Sequence, residues 1–145
     1  MQVADPLFTT FGRAREIALE CGQGRIAPVH LAIAALEVPD ALTADVLSVL
    51  GVVPLDRAAA LRATAPVGSY EVGASGGPDL AYSEAGARVL YASKAEAAGL
   101  GHRVVHPLHV LLAILRDRTI HAGRALGSAG LGYAPLRAAL HAEVP

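Results

Sequence analysis

Three histidines, His102, His106 and His109, fall within eight residues and form the densest group of potential ligands and proton carriers in the chain. His106 and His109 stand three apart across an expected helix start, a spacing that lets two imidazoles share a face. No Asp, Glu or Cys lies close by in sequence to complete a typical metal site, so no metal is expected. His109 and its counterpart His30 open the two most apolar helical stretches, where an imidazole serves as a structural group that caps or bonds neighbouring backbone. Cys21 is the only cysteine, which excludes an internal disulfide and an all-cysteine metal site. It falls on the apolar face at the end of the first expected helix, the setting of a small hydrophobe rather than of a thiol nucleophile. Ser83-Glu84 reads as a helix N-cap followed by an acid in the first turn. Glu16-Glu20 and Glu84-Arg88 read as solvated helix-face charges. No Gly-x-x-x-x-Gly-Lys-Ser/Thr loop occurs, and the single lysine, Lys94, lies inside an expected helix. The expectation is a chain with no catalytic group, no cofactor and no ATPase module.

The elements that must position these residues are helices. The 145 residues suit one compact unit or two small halves. They are 53% hydrophobic but only 4% aromatic, and 30 of them are alanine, the strongest helix former. Twelve basic and 13 acidic residues give a net charge of -1, which excludes a broad electrostatic nucleic-acid binder and a polybasic membrane anchor. Eleven of the twelve basic residues are arginine, a bias that with so much Ala and Gly suggests a GC-rich genome. No run of about 18 apolar residues and no basic N-terminal signal region is present, so a cytoplasmic protein is expected.

The punctuation sets the boundaries. Thr9 or Thr10 is expected to cap a first helix running to about Cys21, broken by Gly22-Gln23-Gly24. Pro28 opens a second, Val29 to Leu36, apolar on every face and therefore buried. Thr43 is expected to cap a third, closed by Gly51 at C′, and a fourth runs from Pro54 to about Ala63. Residues 64–81 form a Pro-, Gly- and Ser-rich linker. Beyond it the pattern repeats: Phe8-Thr9 and Gly12 match Tyr82-Ser83 and Gly86 at an offset of 74. Pro28-Val29-His30-Leu31, Leu47, Gly51 and Ala60-Leu61 match Pro107-Leu108-His109-Val110, Leu126, Gly130 and Ala139-Leu140 at an offset of 79. The difference falls in the connection between the first two helices of each half, where a duplication tolerates length change. The reading is all-α: eight helices in two four-helix repeats, at 8–63 and 82–142, related by a pseudo-two-fold axis.

An aromatic-Thr/Ser opening, Leu100-Gly101-His102 before a greasy helix begun by His109-Val110-Leu111-Leu112-Ala113-Ile114-Leu115, and Val46-Leu47 with Leu50-Gly51-Val52 carry a resemblance. The chain resembles the Clp repeat, the double four-helix N-terminal domain of ClpA- and ClpC-type AAA+ unfoldases, over roughly Phe8 to Ala142. The resemblance implies a non-catalytic recognition module of the Clp protease system. Its partners would be peptide or protein substrates, adaptor proteins, Clp ATPase or protease subunits, and cyclic-peptide antibiotics, docking near the starts of helices one and five. Phe8, Thr9, Tyr82, Ser83 and Lys94 are the candidate contacts there. The family's glutamates that hold a phosphorylated arginine are replaced by Val29 and Leu108, which removes the charge-assisted partner of a guanidinium and favours apolar side chains. His30, His109, Gly51 and Gly130 are expected to be structural. Without an ATPase module the chain would act as an adaptor, a competitor or a decoy for a toxic cyclic peptide. The alternatives are a small histidine-dependent hydrolase or metalloprotein, and a regulatory subunit pairing with a Clp ring.

Overall fold

Pro28 and Pro107 each open a helix whose side chains are apolar on all sides, and these two helices form the centre of the molecule. A computed structural model describes residues 6–69, 80–128 and 130–143. Among them run eight helices: α1 (Pro6–Glu20), α2 (Pro28–Glu37), α3 (Ala41–Val49), α4 (Pro54–Thr64), α5 (Glu84–Gly99), α6 (Pro107–Arg116), α7 (His121–Ser128) and α8 (Tyr133–Glu143). Two short strands, β1 (Arg25–Ile26) and β2 (Ala81–Tyr82), pair in parallel, with Arg25 opposite Ala81 and Ile26 opposite Tyr82. Their pairing brings the entry to α2 and the entry to α5 to one corner.

Leu31 to Leu36 of α2 and Val110 to Leu112 with Ile114 of α6 are completely buried. Each Leu or Ile of this kind contributes about 1.5–3 kcal/mol by leaving water. α2 packs on α1, α4 and α6, while α6 packs on α5 and α7, so the two central helices join one core. No helix among the described residues is long and apolar enough to cross a membrane.

Several boundaries differ from the sequence expectation. α1 begins at Pro6, so Thr9 and Thr10 lie inside the helix instead of capping it. Proline tolerates a first turn, where its missing N–H has no partner to lose. Asp40, not Thr43, caps α3: its Oδ1 accepts the Thr43 N–H at 3.0 Å. Thr43 sits at the third helical position, buried, and its Oγ1 accepts the Leu108 N–H at 3.1 Å, joining α3 to α6. Glu20 is not merely solvated. It accepts from Arg13 at 3.0 Å and Arg62 at 2.9 Å, and Glu37 accepts from the same two arginines at 2.8 and 3.3 Å, so α1, α2 and α4 share one ionic cluster.

Gly51 and Gly130 end α3 and α7 at positive φ, the conformation glycine adopts without steric cost. Of the expected linker, residues 70–79 lie outside the described residues. Its start is fastened: the Gly68 N–H donates to the Cys21 carbonyl at 2.8 Å, and Gln23 Nε2 donates to the Pro66 carbonyl at 3.2 Å.

Candidate functional site

Neither central helix has a side-chain acceptor at its N-cap; Ala27 and His106 hold those positions. The third helical residue supplies one. His30 Nδ1 accepts the Ala27 N–H at 2.9 Å, and His109 Nδ1 accepts the His106 N–H at 2.8 Å. Because Nδ1 accepts, each neutral ring carries its proton on Nε2. That proton has different fates in the two halves. His109 Nε2 donates to His102 Nδ1 at 2.9 Å. His30 Nε2 is buried with no hydrogen-bond partner among the described residues; the sequence there has Gln23 where the second half has His102. Burial, then the neighbouring His102 and His106, holds His109 down to about 4, and burial lowers His30.

His106 turns outward from this pair and donates from Nδ1 to Asp40 Oδ2 at 2.5 Å. Burial pushes the Asp40 carboxyl up, but the hydrogen bonds from His106 and Thr43 outweigh it and leave Asp40 below the usual carboxylate range. Asp40 is the carboxylate that the sequence did not place beside the histidines. It lies 66 residues from His106, so no local spacing announces it. Both nitrogens of His109 are engaged internally, and among the described residues no group of three His, Cys, Asp or Glu is arranged to hold a metal. The cluster ties α3 to α6.

The surface feature that can take a ligand lies at the corner made by β1 and β2. A cleft of about 300 Å³ opens between the starts of α2, α5 and α7 and the end of α4, with Val29, Pro66, Ala85, Ile120 and Ala122 as apolar walls and Arg88 at its edge. A groove along α5 shares Arg88 and Ile120 with it and continues past Val89, Ala92 and Ala95. Arg88 is held by Glu84 at 3.3 Å. Such a surface accepts apolar side chains, with His121, Thr64 and Thr119 as the cleft's other polar lining.

Of the sequence-derived candidates, Val29 lines this cleft. Ser83 and Tyr82 stand at the same corner. Ser83 Oγ accepts the Gly86 N–H at 3.0 Å as the α5 cap, and Tyr82 packs edge-on against Phe11 with ring centres 6.2 Å apart. Burial raises the Tyr82 phenol. Phe8 is 71% exposed and Thr9 is exposed beside it on α1. Lys94 is exposed higher on α5, its ammonium 5.7 Å from the Tyr91 ring centre. Leu108 is wholly buried, so its side chain is core and no surface ligand touches it. Matching Leu108 to Val29 by register missed that α6 is covered where α2 is not. Arg88, Pro66 and Ile120 escaped the sequence reading because the cleft assembles from four separate elements.

The family described as Clp repeat (R) N-terminal domain matches residues 5–129. The fold resembles the Hsp104 N-terminal domain from Candida albicans at 15% identity and a TM-score of 0.70, covering 97% of this chain and 89% of that one. It resembles the N-terminal domain of the caseinolytic protease associated chaperone ClpD from Arabidopsis thaliana at 18% identity and a TM-score of 0.69, over 98% and 96%. A structure from investigations of a malarial protein secretion system matches at 14% identity and a TM-score of 0.75, over 99% and 95%. No curated protein matches the chain.

Proposed function

The chain belongs to the Clp repeat N-terminal domain family, and from that premise we propose that it is a non-catalytic, cytoplasmic recognition module that binds apolar peptide segments in the Val29 cleft. The observation that carries this reading is the cleft itself: an apolar, open pocket at the junction of α2, α4, α5 and α7, continuous with a groove along α5. Exposed apolar concavities of this kind mark binding sites. The ligands would be unfolded or marked substrates, adaptor segments or cyclic-peptide antibiotics, passed to Clp ATPase and protease partners. Phe8, Thr9, Tyr82 and Ser83 would extend the contact toward α1, and Lys94 along α5. Val29 gives a guanidinium no carboxylate, so phosphoarginine is not the favoured ligand.

Amide shifts in a labelled sample test this. A capped apolar hexapeptide should shift Val29, Ala85 and Ile120 saturably, and free phosphoarginine should not. Val29→Glu should weaken the peptide and admit phosphoarginine. Shifts confined to other surfaces, or none at millimolar peptide, would remove the reading.

A further inference from the structure

A second cavity, of about 520 Å³, lies where the end of α6, the length of α7 and the start of α8 meet. Its walls differ in kind from the Val29 cleft. Leu115 and Leu131 give it an apolar floor, Arg118 and Arg124 face it, Ser128 adds a hydroxyl, and no carboxylate lines it. Arg13, Arg62, Arg88 and Arg116 all pair with glutamates. Arg118 and Arg124 form no ion pair among the described residues.

The surrounding acids are occupied elsewhere. Asp117 Oδ1 accepts both the N–H and the hydroxyl of Thr119, at 2.9 and 2.6 Å. Glu96 is buried and accepts from Tyr133 Oη at 2.7 Å and Arg116 at 3.0 Å. Arg124 is positioned as well as unpaired: one terminal nitrogen donates to the Arg118 carbonyl at 3.1 Å, which leaves its other donors free. Gly132 and Tyr133, at the start of α8, complete the wall. Gly127 lines the cavity, and a Cβ built there meets nothing within 4 Å, so a larger side chain can be placed at that wall. The first half does not repeat these arginines: at the offset of 79, Arg124 corresponds to Asp45 and Arg118 to Pro39.

We propose that this cavity binds a small organic oxyanion, a carboxylate or a phosphate, carried on an apolar group. The oxyanion lies against the Arg118 and Arg124 guanidiniums, and the apolar part rests on Leu115 and Leu131. Planar guanidiniums pair with such groups through charge-assisted, bidentate hydrogen bonds. The Val29 cleft is not involved, so this proposal stands or falls independently of peptide binding there.

Four probes test it on the full chain by amide shifts: N-acetyl-leucine, phenyl phosphate, inorganic phosphate and the neutral N-acetyl-leucinamide. The two organic anions should shift Gly127, Ser128 and Gly132 saturably at millimolar concentration, and the tighter of the two identifies the source of the anion. Inorganic phosphate should bind roughly tenfold more weakly for want of the apolar contact. The double variant Arg118→Gln, Arg124→Gln should lose at least about tenfold in affinity. Gly127→Leu should block the cavity. Equal binding of the neutral amide, shifts that persist unchanged in the double variant, or no saturable shift with either organic anion would each overturn the proposal.

Discussion

The His106 imidazole and the Asp40 carboxylate meet at 2.5 Å across the contact between α6 and α3, with Asp40 also capping α3. One side chain thus fastens two helices. Asp40→Ala removes both a cap and a charge-assisted bond, and should cost about 2–4 kcal/mol in urea unfolding. Asp40→Asn keeps a cap acceptor and loses only the charge, so it should cost roughly half as much. Equal losses in the two variants would show that the charged contact with His106 alone matters and that the cap contributes nothing.

Acid should destabilise the fold in a defined window. His109 stays neutral in the folded chain down to about pH 4, and His30 is also held below its ordinary value. Unfolded histidine takes up its proton near pH 6.5. Stability is therefore complete above about pH 6.5 and declines as pH falls from there toward 4, by about 3 kcal/mol for His109 alone. Asp40, whose carboxyl lies below its ordinary value, adds to the loss at still lower pH. Urea midpoints measured from neutral pH downward should trace this decline; a flat profile down to pH 4.5 would contradict it.

The ionic cluster of Arg13, Arg62, Glu20 and Glu37 is partly shielded at Glu37, whose side chain is 19% exposed. Glu37→Gln should cost about 1 kcal/mol at low salt, with the difference shrinking as ionic strength rises. Glu84→Gln, which breaks the exposed pair with Arg88, should cost much less. Thermal midpoints of both variants in low and high salt check the contrast.

Gly22 has a φ of 69°, and a Cβ there would run into the backbone carbonyl of Gly68. Gly22→Ala should cost more than about 2 kcal/mol, because left-handed strain and a backbone clash add. Gly12→Ala, where a Cβ meets nothing within 4 Å, should be neutral or slightly stabilising for a helical position.

The helices were legible because proline, glycine and alanine act locally: Pro28, Pro54 and Pro107 open three of them, and Gly51 and Gly130 close two. The roles of His30 and His109 at the helix starts were legible too, since a residue two places after such a proline reaches back to the N-cap N–H. Caps with alternatives were not. Asp40 and Thr43 are both capping types three residues apart, and only the fold shows that Thr43 is spent on the Leu108 N–H. Long-range partners were equally hidden. Nothing within α6 signals Asp40, and nothing near Val29 signals Ile120. Leu108 shows the limit of reasoning by repeat, because equivalent positions in two halves need not be equally covered once the halves pack on each other.

The backbone pairing at Gly68 and at Ala81 has a topological consequence. Gly68 is bonded to Cys21, and four residues along from Cys21, Arg25 stands opposite Ala81. The segment between therefore departs from and returns to the same short stretch of chain, so its length is nearly uncoupled from the fold: each doubling adds only about 0.6 kcal/mol of closure entropy. A protein divided there would present two fragments that each carry half of a ready-made docking seam, α2 meeting α6 and β1 meeting β2, which makes this the natural place to split the chain for complementation or to insert a foreign sequence.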